Sequence, residues 1–246
     1  MLFFDETCTN EGVEHGDTIT LPDGETMPVQ VTSFAATYGD DAKPFLTMAL
    51  PPVWRKVPRH ASNPKLDRLM RAVFVHEMTH TRQSSVMGTR IGELIKQHHL
   101  PEDITDDVVQ DRFGDNAAFR AAYERERDLF YAAAKNKDRK LAKQALAAMT
   151  ARRAKFFRGD NAVYAELEDL FLNMEGVANW AGWFEAKREG EEDPTTFMRG
   201  SKKKWSQDEG LAIFLVLDAL LPNWQQRVFA ERPASVIDLL KAAVSS

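Results

Sequence analysis

The side chains with the clearest capacity for chemistry lie in one short segment, His76-Glu77-Met78-Thr79-His80. It places two imidazoles four residues apart, with a carboxylate beside the first. On an α-helix, positions i and i+4 share a face, so both rings can reach one metal ion. Glu77 then lies about 100° around the helix, where it can reach a water on that ion without being a ligand. The spacing therefore predicts zinc-assisted hydrolysis.

The residues before this motif predict a helix with a buried face. No Gly or Pro interrupts the run from Lys65 to Met87. The competing interpretation is a core helix whose histidines make ordinary hydrogen bonds, but it leaves Glu77 on a half-buried face without a partner. Apolar residues recur at helical spacing on the side that carries the histidines: Leu66, Leu69, Met70 and Val73.

The motif resembles that of the zincin metallopeptidases. Its longer form, HExTHxxQ, ends here in Gln83 and is similar to uncharacterised bacterial zincin-like proteins. Many zincins have an apolar residue two places after the second histidine, and this chain has Arg82 there. The resemblance implies an α+β fold that is mainly α, in which a small N-terminal β-sheet with an edge strand precedes a helical body.

A catalytic zinc site needs three protein ligands and an open position for water. The metzincin continuation would require a glycine three places and a histidine six places after His80. The chain has Gln83 and Val86 at those positions, so the metzincin class is excluded. His98 and His99 precede Pro101 and are interpreted as a solvated helix end.

Glu175 is the candidate third ligand. The segment Glu175-Gly176-Val177-Ala178 resembles the E-G-x-A segment of gluzincins, in which the Glu binds the metal. The gap from His80, residues 81–174, is far longer than in thermolysin-like enzymes. Glu168, two turns earlier on the same helix flank, is the alternative ligand. A packed helix is predicted here by one apolar stripe: Val163, Leu167, Leu170, Met174, Val177 and Ala181.

The resemblance implies Zn²⁺ as cofactor, bound by His76, His80 and Glu175, and a peptide or protein substrate. Glu77 would be the general base. The donor that stabilises the oxyanion is left open: it is Tyr123, Tyr131, Tyr164 or another residue. The alternative function is a catalytically silent zinc-binding interaction protein of the same fold.

Composition limits the class of protein. With 43% hydrophobic and 28% charged residues, the chain is typical of a globular protein. A net charge of −5 argues against a nucleic-acid partner. Basic clusters at 152–155 and 202–204 are interpreted as solvated helix ends or loops. We expect no membrane span and no signal peptide, which makes the cytoplasm the default expectation, although a truncated exported protein would look the same.

The chain is expected to form a single domain, 1–246, with a β and loop part over 1–60 and a helical part over 63–246. Strands at 18–21 and 27–31 flank Pro-Asp-Gly and predict a hairpin.

A further strand is predicted at 44–50, and an edge-strand role in holding extended substrate is placed on residues 45–50. A plain core strand remains the alternative for that segment.

Two long amphipathic helices, 115–136 and 138–158, are predicted to form a helical hairpin insertion between the two motif segments. The hairpin either buries its own apolar face or forms a wall over the cleft. Capping boxes at Ser206–Glu209 and Ser235–Asp238 predict two later helices.

Overall fold

The computed structural model describes residues 2–4, 10–101, 103–199, 204–230 and 232–245. Within these residues the protein is mostly helical, and its short strands are confined to the N-terminal part. This agrees with the expected α+β class that is mainly α. The strands are β1 Leu2–Phe4, β2 Asn10–Gly12, β3 Thr18–Thr20, β4 Thr26–Pro28, β5 Ser33–Tyr38 and β6 Lys43–Met48.

The described strands pair as three antiparallel two-stranded sheets, β1 with β2, β3 with β4 and β5 with β6. The predicted hairpin is confirmed, since Ile19 pairs with Met27 across the Pro-Asp-Gly turn. The strand predicted at 44–50 is also present as β6. Its partner β5 was not predicted, and the two are in register with Ser33 opposite Met48.

The helices follow in close succession. The first group is α1 Pro51–Arg55, α2 Pro58–Ala61, α3 Leu66–Gln83, a π-helix Ser84–Gly88, α4 Thr89–His98 and α5 Val108–Phe113. The second is α6 Ala117–Asn136, α7 Arg139–Phe156, a 3₁₀ turn Gly159–Asn161, α8 Tyr164–Arg188, α9 Pro194–Arg199, α10 Trp205–Leu220, α11 Trp224–Val228 and α12 Val236–Ser245. No helix within the described residues is long and apolar enough to cross a membrane.

Helix α8 lies at the centre of the helical part and packs against both α3 and α10. Glycines permit these close contacts. A Cβ on Gly176 would lie 2.8 Å from the carbonyl oxygen of Gly210 in α10. A Cβ on Gly182 would lie 3.0 Å from the carbonyl oxygen of Ala72 in α3. The backbones therefore approach more closely than a larger residue would allow.

The predicted helical hairpin is present as α6 and α7, with caps that explain its boundaries. The Asn116 side chain accepts hydrogen bonds from the first turn of α6, and Asp138 does the same for α7. Both helices belong to the largest apolar cluster, together with α8, α10 and α12. The hairpin thus contributes to the helical core.

Two interpretations of the sequence were wrong. Arg152, assigned to a solvated helix end, is fully buried and bonds Glu126 and Glu168. Ser206 does not cap α10, because the helix begins one residue before it and its hydroxyl instead donates to Asp106. The second capping box is confirmed, since the backbone N–H of Asp238 donates to Ser235 Oγ.

Only part of the second basic cluster, 202–204, belongs to the described residues. Positions 202 and 203 of the second cluster lie outside the described residues. Lys204 is described, and its ammonium group pairs with Asp107.

Candidate metal centre

Helix α3 brings His76 and His80 together, as their i, i+4 spacing predicts. Their ring centroids are 4.6 Å apart with planes at 83°, and their Nε2 atoms are 3.0 Å apart. The helical run continues beyond Gln83 as the predicted stretch to Met87 implies, but as a π-helix. Both rings lie on the face of α3 that packs toward α8.

Helix α8 supplies the third side chain. His80 Nε2 lies 3.2 Å from Glu175 Oε1, and His76 Nε2 lies 3.6 Å from Glu175 Oε2. The close packing at Gly182 lets the two helices approach over this stretch. Residues that are far apart in the chain therefore meet at one point, and the structure groups His76, His80 and Glu175 as a set that could hold a metal ion.

The distances among the three side chains fit a tetrahedral ion. Ligands about 2.0–2.1 Å from a tetrahedral zinc lie about 3.3 Å from one another. The three separations here, 3.0, 3.2 and 3.6 Å, bracket that value. Glu175 Oε2 is buried without a hydrogen-bond partner among the described residues, which leaves a lone pair free for an ion.

Gln83 orients His80 from behind. His80 Nδ1 lies 3.1 Å from Gln83 Oε1, and Gln83 is 3% exposed. An amide oxygen accepts only, so Nδ1 carries the proton and the unprotonated Nε2 faces His76 and Glu175. This is the outer hydrogen bond that metal-binding histidines typically make. It also gives a physical reason for the glutamine in HExTHxxQ.

The charges at the centre are divided between the two helices. Burial lowers the pKa of His76 to about 4, so this ring is neutral. Burial also opposes charging of His80, but Glu175 outweighs it and raises the pKa of His80. Burial would raise the pKa of Glu175, yet His80 and His76 hold it below its usual value. The site therefore contains one carboxylate and one readily protonated imidazole.

Glu77 lies beside the three-residue group and is not part of it. It is buried, and burial raises the pKa of its carboxyl above the usual value, opposed by a hydrogen bond with Ser33. Ser33 is the first residue of β5, which packs on α3 together with β6. Strand β5 thus contacts the centre through Ser33, and the edge-strand role assigned to residues 45–50 stays a prediction.

The alternative ligand, Glu168, is engaged elsewhere. Its carboxylate receives hydrogen bonds from Arg152 at 2.8 Å and from Arg153 at 2.7 Å. His98 and His99 end α4 at the surface, as predicted.

The candidate tyrosines also have other contacts. The hydroxyl of Tyr123 donates to the Trp205 carbonyl oxygen, and that of Tyr131 donates to Asp208. Tyr164 stacks edge-on against Phe113.

Sequence reasoning missed three residues near the centre. These are Ser33, Gln207, whose side chain adds to the lowering of the Glu175 pKa, and Asp106, whose pKa is raised by burial and by Glu175. The β-branched and aromatic end of β5, Thr37-Tyr38, is a weak signal for a strand that begins at Ser33. Nothing local marks Asp106 or Gln207. Comparison with protein-family models, curated proteins and solved structures found no match to this chain.

Proposed function

We propose that the protein is a zinc-dependent hydrolase, a metallopeptidase of gluzincin type that cleaves amide bonds in a peptide or protein substrate. The observation that supports this most is the convergence of His76, His80 and Glu175, with Glu77 next to them but outside the ligand set. A purely structural helix pair has no need for two histidines and an unpartnered carboxylate oxygen at one buried point.

Each side chain has a distinct role in this proposal. A bound Zn²⁺ supplies a water of lowered pKa and polarises a carbonyl. His76, His80 and Glu175 hold the ion, and Gln83 keeps His80 in the binding tautomer. Glu77 accepts the proton of the attacking water and passes it to the leaving amine. Its raised pKa suits both steps, because a carboxyl with a higher pKa is a stronger base than an ordinary glutamate.

Metal analysis tests the ligand set directly. Purified protein is expected to contain about one zinc per chain, removable by a chelator. His76→Ala, His80→Ala and Glu175→Ala should each lower the bound zinc to background. His98→Ala is the matched control, since this histidine lies at the exposed end of α4. Full zinc occupancy in the His76 and His80 variants would refute the site.

The general-base role has a separate test. Glu77→Gln should retain the zinc and lose turnover of a peptide substrate by about a hundredfold or more. Glu166→Gln is a suitable control, because Glu166 is exposed and pairs with Arg90 at the surface. Undiminished turnover in Glu77→Gln would contradict the role while leaving metal binding intact.

Burial of the centre favours a second candidate, a zinc-binding interaction protein without catalysis. The side chains of His76, His80 and Glu175 are only 13%, 12% and 10% exposed. An enzyme of this type has to admit a substrate carbonyl to the ion. A broad peptide library incubated with zinc-loaded protein separates the two functions. Cleavage supports the hydrolase, and intact peptides with full zinc occupancy support the interaction protein.

A further inference from the structure

The contact between α3 and α8 carries the metal centre, because two ligands come from one helix and the third comes from the other. Of the two apolar clusters within the described residues, α8 contributes to both and α3 contributes to neither. These clusters fix α8 within the helical part and leave α3 to be held by other contacts. The distance between the two helices therefore depends on what joins them outside the apolar clusters.

Ion pairs join the start of α3 to the end of α8. Lys65 Nζ lies 2.7 Å from Glu191 Oε1, and Arg68 Nη1 lies 2.6 Å from Glu191 Oε2. Arg68 also donates to the backbone carbonyl oxygen of Glu189 at 3.0 Å, where the helix dipole of α8 favours a cation. Arg71 pairs with the Glu189 carboxylate at 2.8 Å. We call this group of five residues the ionic clamp.

The backbone at Glu191 is fixed to the end of α8. The helix ends in a Schellman motif, in which the N–H of Glu191 donates to the Ala186 carbonyl oxygen at 2.9 Å and that of Gly190 donates to Lys187 at 3.0 Å. Gly190 has the left-handed conformation that this motif requires, with φ +79°. The side chain of Glu191 is only 4% exposed. It is therefore a fixed link to α3, unlike an ion pair between two freely moving side chains.

The ionic clamp lies on the same face of α3 as the metal ligands. Residues at intervals of four share this face: Arg68, Ala72, His76 and His80. Between the clamp and the ligands, the Ala72 carbonyl oxygen meets α8 at Gly182. Arg68 precedes His76 by about 12 Å along the helix axis. A metal site needs its ligands within about 0.5 Å of the binding geometry, so a shift of α3 at the clamp would disturb the centre.

We propose that the ionic clamp positions the metal centre, with Glu191 as its main positioning residue. The clamp holds α3 against α8 at the ligand spacing before an ion binds. Glu191 acts through the two helices and touches neither the ion nor a substrate. Because the clamp and the ion join the same pair of helices, each strengthens the other to the same extent. The effect on the ion rests on the proposed zinc site, whereas the position of α3 in metal-free protein does not.

Zinc affinity, measured by competition with a chelator, gives the first test. Glu191→Gln keeps the size of the side chain and removes the charge that Lys65 and Arg68 contact. It should weaken zinc binding roughly tenfold, within the range typical of coupled sites. Asp67→Asn is the matched control, because Asp67 lies next to Arg68 on α3 but pairs with Arg55 of α1 at the surface. The control should bind zinc within about twofold of the wild type.

Spin-label distances test the position of α3 directly. Cys8→Ser removes the single cysteine of the chain, and labels are attached through Phe74→Cys on α3 and Lys187→Cys on α8, both at exposed positions. In pulsed EPR, metal-free protein with the clamp intact should give one narrow distance distribution. Glu191→Gln should broaden or lengthen it, and saturating zinc should restore it. A role in stability alone would leave the distance within the folded protein unchanged.

Two results would overturn the proposal: zinc affinity in Glu191→Gln within about twofold of the wild type, or weakened affinity with an unchanged label distance. If Glu191→Gln does not fold, Lys65→Met is the milder variant, since Lys65 is half exposed. It should weaken zinc binding about two- to fivefold, and zinc binding equal to that of Asp67→Asn would overturn the proposal. Absence of zinc binding in the wild type would instead refute the metal site, while the label distances would still decide whether the clamp positions α3.

Discussion

Replacement of Gln83 tests whether the hydrogen bond behind His80 controls metal affinity. Gln83 Oε1 lies 3.1 Å from His80 Nδ1, and the glutamine is almost fully buried. Gln83→Leu removes the acceptor, keeps a similar volume and also removes the Nε2 donor, which has no partner among the described residues. The main loss is therefore the fixed tautomer of His80 and not the packing of α3.

The expected magnitude follows from outer hydrogen bonds of metal-binding histidines, whose loss typically costs about 10–100-fold in metal affinity. That range corresponds to about 1.4–2.8 kcal/mol. The dissociation constant for zinc would be measured by competition with a chromophoric chelator at pH 7.5. Thermal unfolding of the metal-free variants would show whether the fold is retained.

Gln83→Glu is the informative companion variant. It retains the acceptor oxygen, adds negative charge next to the imidazole and removes the unpaired Nε2 donor. Zinc affinity in Gln83→Glu should therefore equal or exceed that of the wild type. The reasoning would fail if Gln83→Leu bound zinc within about twofold of the wild type. It would fail equally if both variants lost affinity to the same extent.

Three further predictions concern protons, packing and the buried ion pairs. His80 is the one proposed ligand whose pKa is raised. Zinc affinity should therefore fall about tenfold per pH unit between roughly pH 6 and 5. A hundredfold fall per pH unit would mean that two histidines take up protons. Gly176→Ala should destabilise the fold by about 1–3 kcal/mol in urea unfolding, because its Cβ would lie 2.8 Å from the Gly210 carbonyl oxygen. A Cβ on Gly92 would have nothing within 4 Å, so the control Gly92→Ala should be neutral or stabilising. Arg152→Met should lower the free energy of unfolding by about 3–5 kcal/mol at pH 7, because it leaves the carboxylates of Glu126 and Glu168 buried and unpaired. Part of this loss should be recovered at pH 5, since such carboxyls have a higher pKa in the folded than in the unfolded state. Wild-type stability of the variant at pH 7 would contradict this.

The elements that could be predicted from the sequence are those with strong local signals. The predicted ends of α6 and α7 lie within about two residues of the observed ones, a usual uncertainty at helix ends. The i, i+4 histidines of α3 needed only helical geometry. Strand β5 was missed because Ala35 and Ala36 have low β-propensity, and its pairing with β6 stabilises it nonetheless.

The burial of Arg152 was indicated by its position on the apolar stripe of α7. It follows Met149 by three residues and continues the buried stripe of Ala142 and Ala145 on α7. A charge on such a stripe indicates a buried ion pair as readily as a helix end. The choice between Glu168 and Glu175 was different, because both share one flank of α8. The tertiary structure separates them, because Glu168 meets the arginines of α7 and Glu175 meets the histidines of α3.

The separation of the ligand residues along the chain has a consequence for folding. His76 and His80 lie on one helix, whereas Glu175 follows only after residues 81–174, which is 94 residues. An ion held by all three would join the ends of a loop of about 95 residues. Closing such a loop would cost the unfolded chain about 4–5 kcal/mol of entropy, so we expect all three residues to hold the ion together only in the folded state. The unfolded chain retains only the histidine pair as a local chelate. Zinc would thus act as a reversible cross-link that joins the start of the helical part to its central helix.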